Sequence, residues 1–241
     1  MDTSFQHYID GFWTTPKAVR HIDLFDPSTE AFRCRSPLGG DQEVDLAVAA
    51  AHNAFESGWN ESHLAERLSI LENLILEIDS RRELFADTIS REMGAPIDFS
   101  RKHQVEAALG HLHAILAAAK DPENCNDKPI AEGNLCHRVR FEPMGVAALI
   151  TPWNWPLNQI ALKVGAALVS GCTMVLKPSE LASETGIIFA RCMAAAGTPK
   201  GVFNLILGDA KTGTLLTNHP GISVISFTGS TKAGKSVALA A

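Results

Sequence analysis

From residue 146 onward, short apolar runs alternate with helical stripes, and that alternation leaves the chain few architectures. Val146 to Thr151 reads as a strand, Leu157 to Ser170 as a helix, Thr173 to Leu176 as a strand and Ala182 to Ala196 as a helix. The pattern continues with a strand from Val202 to Leu207, a helix from Thr212 to Asn218, a strand from Ser223 to Thr228 and a helix from Ser230 to Ala241. Four strands alternating with helices predict a parallel, doubly wound sheet, whose ligands sit beyond the carboxyl ends of the strands. The notable polar residues fall at those ends: Asn154 after the first strand, Lys177 and Glu180 after the second, Gly208 after the third, Gly229 and Ser230 after the fourth. One shared crevice is expected.

The fourth strand runs into Gly-Ser-Thr-Lys-Ala-Gly-Lys-Ser, residues 229 to 236. A glycine turn opening a helix makes an anion site, because the first N–H groups of a helix lack intrahelical partners and the dipole adds positive character. The same eight residues satisfy the P-loop pattern, in which Lys235 would reach the phosphates and Ser236 would ligate magnesium. A P-loop normally opens its domain and is followed by an acidic strand that holds the metal. Only five residues follow Ser236, so a dinucleotide is the expected ligand and a nucleoside triphosphate the rival.

The first 120 residues read as mostly helical. Asp10-Gly11 between apolar pairs signals a type I′ hairpin from Tyr8 to Trp13, expected as edge structure. Val44, Ala47, Val48, Ala51 and Phe55 mark one helical face, Leu64, Leu68, Leu71, Ile75 and Ile78 another, and Val105, Leu109, Leu112 and Leu116 a third that ends near Lys120. A polar, turn-rich segment from Asp121 to Pro129 precedes an alternating strand from Leu135 to Phe141. The expected organisation is therefore 1–122 as hairpin and helices, 123–141 as a strand segment and 142–241 as the ligand-binding domain.

Composition narrows the class. With 241 residues, 46% of them hydrophobic, the chain can bury a sizeable core. A net charge of -6 argues against nucleic acid or an anionic membrane as the partner and favours a small molecule. Cys34, Cys125, Cys136, Cys172 and Cys192 are odd in number and none has Cys-x-x-Cys spacing, so no disulfide frame or zinc site is signalled and a reducing, cytoplasmic setting is expected. Cys172 and Cys192 read as small buried hydrophobes. His111 and His113, two apart on a helix, do not share a face, so no metal is expected. The start carries no basic region followed by an apolar stretch, and no apolar run reaches a membrane span.

Three segments then carry a resemblance. Pro152-Trp153-Asn154-Trp155-Pro156, Lys177-Pro178-Ser179-Glu180 and Phe227-Thr228-Gly229-Ser230-Thr231 with Gly234, in that order and spacing, resemble the cofactor-binding half of the aldehyde dehydrogenase superfamily. Phe203-Asn204 and the helical amino half agree, so the resemblance covers essentially the whole chain. It implies an α/β fold, a Rossmann-like doubly wound parallel sheet with a helical amino-terminal region, truncated before the family's catalytic domain. The family's reactive cysteine and the glutamate of its Glu-Leu-Gly-Gly motif have no counterpart here. The implied activity is NAD-dependent oxidation of an aldehyde to a carboxylic acid. The alternative is a non-catalytic NAD-binding or assembly fragment, and the 241 residues alone are expected to be inactive.

The resemblance also implies roles. Asn154 corresponds to the amide that stabilises the oxyanion, although asparagine between prolines is also a common turn former. Lys163 corresponds to a helix lysine used in proton relay, and a lysine on an amphipathic helix equally reads as a surface charge. Contacts to NAD are implied for Ile150, Thr151, Pro152, Trp153, Lys177, Ser179, Glu180, Gly208, Gly213, Phe227, Thr228, Gly229, Ser230 and Ala233. Within that set, Lys177 and Glu180 would hold the adenosine ribose and Gly229 with Ser230 the diphosphate. A carboxylate accepts from both ribose hydroxyls and repels a 2′-phosphate, so Glu180 favours NAD, while Lys177 leaves NADP possible. Around Gly208 and Gly213 the family's glycine-rich loop is shortened to Gly-Asp-Ala-Lys-Thr-Gly. The segment from Asn124 to Phe141 corresponds to an oligomerisation hairpin, which implies a homo-oligomer for the full-length family; an ordinary surface strand is the alternative.

Overall fold

The computed structural model describes residues 5–15, 20–121, 128–132 and 135–241, the backbone alone over 128–132 and 135–139. Of the turn-rich segment expected from Asp121 to Pro129, residues 122–127, with Cys125, lie outside the described residues, as does the side chain of Cys136.

Strands β1 (His7–Ile9) and β2 (Phe12–Thr14) form the predicted hairpin, with Asp10 and Gly11 at φ 52° and 80°, the two positive values that a type I′ turn demands. A second hairpin, β3 (His21–Phe25) with β4 (Phe32–Pro37), was not foreseen. Its turn is built by Asp26, whose carboxylate accepts from the Ser28 and Thr29 N–H groups at 2.8 and 3.2 Å. Helices α1 (Asp41–Glu56) and α2 (Leu64–Asp79) match the sequence stripes. A further helix, α3 (Arg82–Met93), fell between them and the third stripe, and ends on Gly94 at φ 73°. Helical turns at Ile97–Phe99 and a π-turn at Ser100–Val105 lead into α4 (Glu106–Lys120), which stops where the stripe does. The alternating strand is β6 (Leu135–Val139), and it pairs antiparallel with β5 (Lys128–Glu132) from Lys128↔Val139 to Glu132↔Leu135, the hairpin that the resemblance implies.

The carboxyl half is β7 (Val146–Thr151), α5 (Pro156–Val169), β8 (Thr173–Pro178), α6 (Ser183–Ala195), β9 (Phe203–Leu205), α7 (Ala210–Thr217), β10 (Val224–Phe227) and α8 (Thr231–Ala240). Every expected strand and helix is present within a few residues. The sheet is larger than predicted, with six strands in the order β10-β7-β8-β9-β1-β2. Strands β10, β7, β8 and β9 are parallel, and the amino-terminal hairpin extends them by an antiparallel Tyr8↔Leu205 pairing. The hairpin is edge structure, as expected, while the edge it joins was not given, because nothing local in three residues specifies it.

Period-two alternation sorts the strand residues onto two faces. Ala147, Leu149, Met174, Leu176, Phe203 and Leu205 face the core shared with α2 to α6, whereas Ala148, Ile150, Val175 and Ile206 face α1 and α7. Leu71, Leu74, Phe85 and Leu112 are fully buried in the first layer. Each such side chain contributes about 2 kcal/mol by leaving water. Helices thus cover both faces, as a parallel sheet requires, and the loops at the strand tips stay free for chemistry.

Candidate functional site

Strand register sets the relative height of the expected residues. Phe227 pairs with Ile150, and Ile150 with Lys177, so three neighbouring strands bring these residues to one level. Thr151 and Pro178 form the next pair outward. At about 4.8 Å per strand, the loop after β10 stands about 10 Å from the end of β8. Gly229, Ser230, Asn154, Lys177, Glu180 and Gly208 all leave the same edge of the sheet. The chain order β7, β8, β9 runs one way and β10 lies on the other side of β7, which puts a topological switch point between β7 and β10.

The β10–α8 turn decides between the two phosphate readings. Ser230 is the N-cap of α8, its Oγ accepting from the Ala233 N–H at 3.2 Å. The helix has therefore begun at Thr231, and Gly234, Lys235 and Ser236 lie inside it. Ser236 Oγ donates back to the Lys232 carbonyl at 3.3 Å, an ordinary intrahelical contact. Residues 230–233 are cap and first turn, so they do not form the loop that would wrap a triphosphate, and the P-loop reading fails on backbone geometry. Gly229 and Ser230 are exposed, the first turn of α8 carries no acid, and a Cβ at Gly229 would stand 2.5 Å from the Phe227 ring. Thr228 is tied to the sheet through its N–H to the Ile150 carbonyl at 3.1 Å, and Ala233 is half-buried.

At the end of β8, Lys177 is buried rather than solvated. Its Nζ donates to the Gly208 carbonyl at 2.8 Å and the Pro178 carbonyl at 3.0 Å, leaving one of three N–H donors to spend. Burial lowers its pKa, while Glu180 and Asp209 pull the other way. Gly213 packs over the lysine stem, 3.6 Å from Lys177 Cε to a Cβ built there. Ser179 caps the short turn Glu180–Ala182 by accepting from the Leu181 N–H, and Glu180 is half-buried beside it. The shortened loop after β9 is pinned: Asp209 caps α7 through the Thr212 N–H at 3.1 Å and pairs with Arg20, and Thr212 Oγ1 donates to the Gly39 carbonyl at 2.6 Å.

The loop after β7 carries Pro152, Trp153 and Asn154. Trp153 and Asn154 are exposed, and α5 starts directly behind them with Pro156 at its first position. Thr151 Oγ1, at the strand tip, is buried without a hydrogen-bond partner, which suits a site completed by a ligand. Lys163 does not join Asn154. It lies two helical turns along α5, about 10 Å from the loop by helix rise, with Nζ donating to Ser226 Oγ on β10 at 3.0 Å. Half-burial lowers its pKa, so it is not a free surface charge.

A sequence model of the aldehyde dehydrogenase family matches residues 13–241. The chain belongs to that family. It is 43% identical over 238 residues to a 3-succinoylsemialdehyde-pyridine dehydrogenase from a Pseudomonas species, covering 98% of this chain and 48% of that protein. Among solved structures, an aldehyde dehydrogenase from Bartonella henselae superposes with a TM-score of 0.93 at 42% identity, over 98% of this chain and 49% of that one. Aldehyde dehydrogenase C from Pseudomonas syringae, a C291A mutant solved with NAD+ and octanal, superposes with a TM-score of 0.90 at 40% identity, over 99% and 48% respectively. The chain spans about half the length of the curated relatives it matches.

Thiol chemistry, on which this family depends, has no candidate among the described residues. Burial pushes the Cys192 thiol up to about 12 and also raises Cys34, and Cys172 is buried in the core. The described residues hold no cluster of metal ligands, and none of their helices is long and apolar enough to cross a membrane. Two cavities, of about 410 and 910 Å³, lie elsewhere, beside Trp59 and Lys200 and beside Arg67 and Phe141. At the strand tips Trp153, Asn154, Gly229 and Ser230 are exposed.

Proposed function

We propose that this chain is the cofactor-binding half of an NAD-dependent aldehyde dehydrogenase, with NAD lying across the tips of β10, β7 and β8. The observation that carries the proposal is the capped, acid-free start of α8 standing level with Lys177 and Glu180 on one sheet edge, in a chain of this family. The exposed Gly229 and Ser230 permit close approach of a diphosphate to the first-turn N–H groups, where the helix dipole favours negative charge. The remaining Lys177 N–H and the Glu180 carboxylate hold the adenosine ribose, and the carboxylate disfavours a 2′-phosphate. Bound NAD supplies the acceptor for hydride from the aldehyde carbon. Asn154 supplies a side-chain N–H to the developing oxyanion, a donor worth about 3 kcal/mol of barrier in comparable sites. Lys163, with its lowered pKa and its bond to Ser226, holds a proton beneath the loop.

The nucleophile and general base of the family are not among these 241 residues, so the isolated chain binds cofactor and does not turn over. The β5–β6 hairpin is the element through which the complete protein would assemble with copies of itself. Calorimetric titration separates the readings: NAD binds, NADP binds more weakly and magnesium-ATP gives no heat. A folded chain that ignores NAD, or that binds magnesium-ATP, overturns the proposal.

A further inference from the structure

The Asn154 side chain is exposed, yet its peptide group is anchored from inside the molecule. Gln104 Nε2 donates to the Asn154 carbonyl at 3.2 Å and also contacts Met93 Sδ at 3.3 Å. Gln104 is fully buried in the π-turn Ser100–Val105. A carbonyl can only accept, so the nitrogen end of the Gln104 amide must face the loop. Its Oε1 is buried without a partner. Leaving such an acceptor unsatisfied costs about 1–3 kcal/mol, a cost that a methionine of similar shape would avoid. Packing alone therefore does not explain a glutamine here. The helical turn just before the π-turn, Ile97–Phe99, meets the next residue of the loop, the Phe99 ring lying edge to face with Trp155 at 5.6 Å. π-turns are rare and concentrate at functional sites.

We propose that Gln104 is a positioning residue whose amide fixes the Asn154 peptide, and through it the direction in which the Asn154 side chain presents its N–H. Gln104 is fully buried and acts through the Asn154 peptide. The catalytic meaning of this contact rests on the oxyanion reading of Asn154, but the contact can be measured on its own. Asn154-Trp155 is the single Asn-Trp step in the sequence. Isotope labelling of asparagine carbonyl carbon and tryptophan amide nitrogen thus gives one cross-peak, which reports the carbonyl held by Gln104. In Gln104→Met the urea midpoint is expected to hold or rise, while the Asn154 carbonyl resonance moves upfield and the Trp155 amide order parameter falls. Gln104→Glu should return the cross-peak toward its original position only at acidic pH, where the protonated carboxyl can donate again. Should Gln104→Met fail to fold, the pH response of Gln104→Glu decides. A cross-peak and order parameter unchanged in Gln104→Met, or a Gln104→Glu cross-peak that ignores pH, makes Gln104 a packing residue and overturns the assignment. NAD affinity should be the same in the parent chain and Gln104→Met. A parent chain that does not bind NAD refutes the cofactor reading and leaves the cross-peak result standing.

Discussion

His7 and Glu92 are buried titratable residues whose pKa values move far from the ordinary ones, in opposite senses with respect to stability. His7 is fully buried on β1, with Nδ1 accepting from the Leu207 N–H at 3.0 Å, and burial lowers its pKa to about 4. The unfolded chain binds a proton at pH 6.5 that the native chain refuses, so this stabilisation, about 3 kcal/mol, is lost as pH falls from 6.5 through 4. Glu92 accepts from the Glu184 N–H at 2.7 Å and from Thr185, capping α6 from within the core, and burial raises its pKa to about 7. Its neutral form is the favoured one, so its contribution is present below pH 4.5 and lost as pH rises through 7. The two slopes oppose each other across the window they share. Urea midpoints measured over pH should accordingly fall with rising pH in His7→Gln and fall with acidification in Glu92→Gln; parallel curves would contradict both assignments. Neither role was legible in the sequence, because an isolated polar residue beside apolar ones looks the same whether it is buried or solvated. The placement of Lys177 and Glu180 at the end of β8 was legible, since they belong to a motif that follows an apolar run. Gln104 lay in the gap between.

At the scale of the element, the glycine-bearing turn after β10 shows how much a pattern can say and where it stops. The letters from Gly229 to Ser236 fit two phosphate-binding devices, and only the point at which the helix begins separates them. The start at Thr231 makes Lys235 an exposed residue of the second turn. Lys235→Ala should therefore leave NAD affinity unchanged, whereas Gly229→Val, which drives side-chain atoms toward the Phe227 ring and over the first-turn N–H groups, should weaken it about tenfold or more by calorimetry. Equal losses in the two variants would revive the discarded reading. The same scale explains the elements missed. Helix α3 is mostly polar, with Phe85, Ala86 and Ile89 as its buried apolar residues, and Gly94, its stop signal, means little until the helix before it is recognised. The π-turn is invisible to any 3.6-residue count, because it is a local departure from that count.

For the whole molecule, the alternation of strands and helices was sufficient to give the parallel sheet and the common end at which Asn154, Lys177, Glu180 and Ser230 lie, while the antiparallel pairing of β1 with β9 is a long-range contact that no window contains. The sheet ends on one side at β10, whose residues are only half-buried and whose outer edge pairs with nothing among the described residues, and α8 leaves Leu239 90% exposed. An unpaired edge beside exposed apolar surface favours association. Sedimentation of the chain should reveal concentration-dependent self-association, and a heat-stable monomer at all concentrations would contradict this. The central claim is that three neighbouring strand tips hold one dinucleotide. A crystal structure of the chain grown with NAD tests it most directly: the account predicts the diphosphate at the Gly229–Ser230 start of α8 and the adenosine ribose at Lys177 and Glu180, and a diphosphate bound away from that helix start, or a ribose away from β8, would contradict it.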